Sequence, residues 1–120
     1  MEKSDAVTAL AALAQDHRLD VFRLLVRAGI QGMPAGQVAE ELGIIPNTLT
    51  FHFDRLRNAG LVTVKREGRS MIYAARYEAM RALLSFLSEN CCAGLPKRNP
   101  DASSSKKHSA RRRKQNVPAE

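Results

Sequence analysis

Between Gln37 and Ala75 the apolar residues change their repeat. Val38 and Leu42, then Leu49, Phe53 and Leu56, recur at helical spacing, whereas LVTVKR (61–66) and SMIYAA (70–75) are β-branched and aromatic with a period near two. Gly43, Pro46 and Gly60 punctuate the stretch. A chain that shifts from a period of 3.6 to one of two over so few residues can build only short helices and one small hairpin.

The flanking segments extend this pattern. Residues 5–14 read as a short helix with Ala and Leu on more than one face. Asp16 is placed to cap a second helix, in which Leu19, Phe22, Leu25 and Val26 repeat until Gly29. A third, short helix follows Pro34 and stops at Gly43. Pro46 suits the first position of a fourth, which runs to Gly60. Glu67-Gly68-Arg69 is the expected hairpin loop. A last helix is expected from Tyr77 to Asn90. Tyr77, Met80, Leu83, Leu84 and Leu87 mark one apolar face, and Ala79, Ala82 and Phe86 mark a second. Two apolar faces on a terminal helix point to sharing between a core and a partner chain.

The 120 residues suit one domain. Residues 1–95 form it, and Pro, Asn, Ser and basic residues dominate 96–120, which are expected to be a disordered basic tail. The formal charge of +7 is unevenly spread, with 11 basic and 10 acidic residues before Pro96 against 8 and 2 from there on. Total charge therefore does not identify a nucleic-acid surface on the folded part. The tail is either an ordinary solvated run or a source of nonspecific attraction to DNA. No apolar run approaches the roughly 18–20 residues that a membrane span needs, and the N-terminus lacks a signal-peptide pattern. Two adjacent cysteines are no secreted disulfide framework, so a reducing cytoplasm is the expected compartment. Scattered carboxylates without converging His residues give no enzyme site, and no cofactor is required. His17, His108 and the four Met lack visible partners in the sequence.

The element order is that of a winged helix-turn-helix, mainly α with a small β-hairpin. Within QVAEELGIIPNTL, Ala39 permits close helix approach, Gly43 the turn, and Ile44 fills the corner. The outer face of the fourth helix offers Asn47, Thr48, Thr50, Phe51 and Arg55. Asn and Thr can hydrogen-bond base edges, and Thr and Phe can meet thymine methyls. His52 suits either packing or a phosphate or base contact. Lys65, Arg66 and Arg69 form a basic knuckle on the hairpin, suited to phosphate or the minor groove, with solvated edge charges as the plainer alternative.

LAQDHRLDVFRLL, QVAEELGIIPNTLTFHFDRLRNAGLV and KREGRSMIYAA together resemble the ArsR/SmtB family of metalloregulatory repressors, over residues 5–93. The resemblance implies a homodimer held by its first and last helices. It also implies binding to pseudo-palindromic double-stranded operator DNA without ligand, and release on binding an inducer. Ile45 departs from the pattern, since many members carry a capping hydroxyl there; its loss costs about 1 kcal/mol, partly offset by Pro46.

Two inducer sites used in the family have no counterpart here. Met33–Gln37 holds no cysteine, and residues 76–90 hold no His or Asp. Glu89-Asn90-Cys91-Cys92 instead resembles the element with which arsenical-responsive members bind trivalent arsenic. Vicinal thiolates suit a thiophilic centre, and adjacent cysteines form a disulfide only with strain. The bland alternative for the pair is two small apolar residues at a helix end. No cysteine follows the pair. Inorganic arsenite in related proteins takes three sulfurs, whereas a methylated or aryl trivalent arsenical already carries carbon and needs only two. The expected inducer is thus a methylarsenite-type organoarsenical bound by Cys91 and Cys92, with arsenite or antimonite completed by another donor as the alternative. A thiol-redox switch of the same pair predicts release by peroxide or diamide without arsenic. A sequence-nonspecific binder driven by the tail predicts loss of binding on removal of 97–120.

Overall fold

The computed structural model describes residues 1–96. The expected disordered tail lies, except for Pro96, outside the described residues. Met1–Glu89 form one compact unit, and a second begins at Asn90. In the first unit the elements run α1 (Lys3–Leu13), α2 (Asp16–Ala28), β1 (Met33–Pro34), α3 (Ala35–Leu42), α4 (Pro46–Asn58), β2 (Val62–Glu67), β3 (Ser70–Ala75) and α5 (Tyr77–Ser88). The mainly helical fold with a hairpin is the expected one.

Local chemistry sets the boundaries. The Glu2 backbone N–H donates to the Asp5 carboxylate, 3.1 Å away, at the start of α1. Asp16 does not cap α2. Gln15 takes that place in extended conformation, its side-chain oxygen accepting from the Arg18 N–H at 3.0 Å, and Asp16 becomes the first helical residue. An acidic group there still favours the helix dipole. Helices α3 and α4 end alike. Gly43 and Gly60 adopt left-handed φ of 65° and 77°. Their successors, Ile44 and Leu61, donate backbone N–H groups back to Ala39 (3.1 Å) and Leu56 (3.0 Å). This is the Schellman closure, which returns orphan carbonyls to a partner and turns two apolar side chains inward. Ile44 and Leu61 are both buried.

Phe22, Leu25, Val38, Leu49, Phe53, Leu56, Leu61 and Val62 lie in the core, each side chain of Leu size contributing about 1.5–3 kcal/mol on burial. Leu19, expected inward, is 43% exposed, while Val21 and Leu24 are buried in its stead. The expectation for α5 also shifts. Leu83 is buried, Tyr77, Ala79, Met80 and Phe86 pack against the core, and Leu84 and Leu87 stand exposed. The residue faces thus divide differently from the expected pairing, because α5 presents its Leu84–Leu87 edge to solvent. Tyr77 anchors the helix start, donating its hydroxyl hydrogen to the Val26 carbonyl at 2.9 Å.

The sheet has three strands in the order β1-β3-β2, all antiparallel. The third strand was not expected. Met33 and Pro34 pair with Tyr73 and Ile72, a two-residue edge too short to leave a periodic signal. The hairpin loop is tighter than expected. Glu67 pairs with Ser70, so only Gly68 and Arg69 turn the chain. Gly68 has φ 63° and Arg69 a negative φ, the sign pattern of a type II′ turn with Gly first.

Candidate nucleic-acid interface

Helix α4 is held from behind and free in front. Leu49, Phe53 and Leu56 are buried, while Asn47, Thr48, Thr50, Phe51 and Arg55 are exposed. Pro46 occupies the first helical position with no side-chain cap from Ile45, which is 69% exposed. The Thr50 hydroxyl donates to the Pro46 carbonyl at 3.1 Å, so its hydrogen is already engaged within the helix. The Arg55 guanidinium carbon lies 5.1 Å from the Phe51 ring centroid, a cation–π arrangement across one turn.

His52 belongs to the interior and not to the exposed face. It is 5% exposed, and its ring meets His17 at 5.5 Å between centroids and Phe51 at 5.8 Å. Its Nδ1 is buried without a hydrogen-bond partner. Burial, together with the charges of Arg18 and His17, holds the imidazole below its ordinary pKa. The packing alternative for His52 is therefore the one that its surroundings fit.

On the wing, Lys65, Arg66 and Arg69 are exposed. Lys65 pairs with Glu67 at 3.1 Å, and Arg66 donates from Nε to the Gly68 carbonyl at 3.1 Å. Arg69 makes no ion pair or side-chain hydrogen bond among the described residues. Exposed pairs of this kind are worth about 0–1 kcal/mol, so all three cations remain usable by a phosphate. The wing is fixed to α4 by a stack of Phe53 on Tyr73, a contact that the sequence did not reveal. An exposed helix beside a basic hairpin defines a DNA-binding protein of the winged helix-turn-helix class.

The second unit holds the cysteines. Asn90–Ala93 make a turn closed by the Ala93 N–H donating to the Asn90 carbonyl at 3.1 Å. Asn90 and Cys92 have positive φ, 59° and 62°. Cys92 thus sits at a turn position usually given to Gly or Asn. Both thiols are exposed and free of any disulfide, with Sγ atoms in hydrogen-bond contact 3.4 Å apart. No group of three or more His, Cys, Asp or Glu able to hold a metal occurs among the described residues.

Known proteins agree with this class. A family model described as a helix-turn-helix domain matches residues 13–65. The HTH-type transcriptional regulator NmtR of Mycobacterium tuberculosis is 32% identical over 102 residues, 82% of each chain. An ArsR-like transcriptional regulator from Rhodococcus superposes with a TM-score of 0.63 at 22% identity, covering 71% of this chain and 77% of that one. A homodimeric winged helix-turn-helix DNA-binding domain from Mycobacterium bovis, described as a possible ArsR-family regulator, gives 0.60 at 24% identity over 72% and 81%. The chain belongs to the HTH-type transcriptional regulators, a DNA-binding class and not a class of enzymes, and its fold is that of the ArsR-like neighbours. No helix among the described residues is long and apolar enough to cross a membrane.

Proposed function

We propose that the protein is a homodimeric repressor that releases its operator when a trivalent arsenical binds Cys91 and Cys92. The observation that carries the reading is the pair of free, exposed thiols 3.4 Å apart on one turn. That gap is one that a single thiophilic atom can bridge, and soft thiolates are the donors such an atom prefers. Two sulfurs complete a centre that already bears one carbon, which makes methylarsenite-type organoarsenicals the inducers that fit best.

Dimerisation is supported by the apolar residues that one copy leaves in water. Val7 and Leu10 on α1 and Leu84 and Leu87 on α5 are each more than 40% exposed. The M. bovis neighbour is described as homodimeric. A twofold dimer places two recognition helices about 34 Å apart, one turn of DNA. Clamping both thiols reshapes the chain just after α5, and a small change in helix spacing then lowers operator affinity. A coupling of about 1–3 kcal/mol is enough.

The test is fluorescence anisotropy of labelled operator DNA, titrated in parallel with arsenite, methylarsenite, phenylarsenite and antimonite. Release by the two organoarsenicals well below the arsenite concentration is expected. Equal potency of arsenite and methylarsenite would overturn the two-sulfur selectivity. Release by diamide alone would assign the pair to redox sensing.

A further inference from the structure

Among the three exposed side chains Asn47, Phe51 and Arg55, spaced four residues apart along α4, the last two form a unit. The Arg55 guanidinium carbon stands 5.1 Å from the Phe51 ring centroid. It makes no ion pair or hydrogen bond among the described residues, whereas Arg57, two residues on, faces Asp54 at 4.0 Å. Phe51 is itself 52% exposed, so its ring is open to a partner from the same side as Arg55.

We infer that Arg55 reads a guanine in each operator half-site and that Phe51 is its positioning residue. This rests on the operator-binding function proposed above. An arginine on an exposed helix ordinarily loses rotamer freedom when it docks on a base. The ring beneath Arg55 removes part of that loss in advance. The guanidinium fork keeps all its N–H donors, and the base edge that accepts two of them in parallel is guanine O6 and N7 in the major groove. The neighbouring cations already cover the other task, since Lys65, Arg66 and Arg69 sit on the wing, where phosphate contacts position without specifying. Thr50, by contrast, has its hydroxyl hydrogen committed to the Pro46 carbonyl. Arg55 therefore supplies more of the sequence information than its place late in α4 suggests.

Selection of duplexes from a random library by the full chain tests this. The wild type is expected to enrich an operator with one invariant guanine per half-site whose replacement weakens binding at least about fivefold. Arg55→Ala and Phe51→Leu should relax that position while leaving the others fixed, and Phe51→Tyr, which keeps the ring, should restore it. If Arg55→Ala instead weakens every sequence alike and lowers the salt slope, Arg55 is a phosphate contact and the inference fails. An enriched operator with the same guanine preference in wild type and Arg55→Ala also overturns it, leaving the repressor function intact. No enriched sequence with the wild type removes both.

Discussion

Phe53 of α4 and Tyr73 of β3 stack face to face, with ring centroids 3.6 Å apart and planes within 4°. Helix α4 and the wing are thereby joined by side-chain packing as well as by the short link from Ala59 to Leu61. Burial, opposed only in part by nearby Arg57, holds the Tyr73 phenol above its ordinary pKa, so it stays neutral in the stack.

Tyr73→Leu keeps an apolar side chain and removes the ring. A stacked aromatic pair contributes about 0.5–1.5 kcal/mol beyond its buried area, so Tm at fixed protein concentration should fall by about 4–8 °C per kcal/mol. In a double-mutant cycle with Phe53→Leu, a coupling of about 1 kcal/mol is expected from urea unfolding. Additive effects would mean that the rings act separately.

His52 should make the stability of the fold depend on pH. Its pKa in the folded state lies below the unfolded value of 6.5. Stability is then full above pH 6.5 and declines as the pH falls through the folded value, because the unfolded chain takes the proton first. Urea midpoints measured from pH 7.5 to 5 should drop for the wild type. His52→Gln removes the titrating group and should flatten that window. An unchanged slope in the variant would assign the pH response to another residue.

Much of this surface was legible in the chain itself. Gly43, Pro46 and Gly60 delimit the two central helices because left-handed φ and a preset φ near −65° are written in those residue types. Asn47, Thr48 and Phe51 stand outward because Leu49, Phe53 and Leu56 had to face inward. His52 could not be placed the same way, since its position at the edge of the buried stripe is decided by α2, where His17 lies far away in sequence. The Phe53–Tyr73 stack and the β1 edge are nonlocal pairings without a local pattern. The Phe51–Arg55 contact did have a signal, the i, i+4 spacing, which charge counting overlooks. Asp16 lost the cap to Gln15 by one residue, within the usual uncertainty of helix ends.

The wing should control affinity more than sequence choice. If Lys65, Arg66 and Arg69 of both protomers each meet a phosphate, six contacts give a slope of log affinity against log salt near −5. Arg69, which has no ion-pair partner among the described residues, is the cleanest probe. Arg69→Ala should reduce the slope by about 2 per dimer and weaken operator and unrelated DNA alike. A loss confined to the operator would place Arg69 at a base edge.

The proposed arsenical response should require both thiols, and the two cysteines are not equivalent. Cys92 holds the positive φ, which costs a residue other than Gly about 1–2 kcal/mol, while Cys91 lies in ordinary backbone. Because both side chains are exposed, Cys91→Ser and Cys92→Ser should each leave operator affinity without inducer within about 0.5 kcal/mol of wild type. Each should also lose most of the release by methylarsenite, since one sulfur cannot close the chelate ring. In the wild type, saturating methylarsenite should weaken operator binding by about 5- to 150-fold, the range of a 1–3 kcal/mol coupling. Calorimetry should give one arsenical per Cys91–Cys92 pair. Full release from either single variant would mean that arsenic acts elsewhere on the chain, and the C-terminal turn would then have no part in sensing.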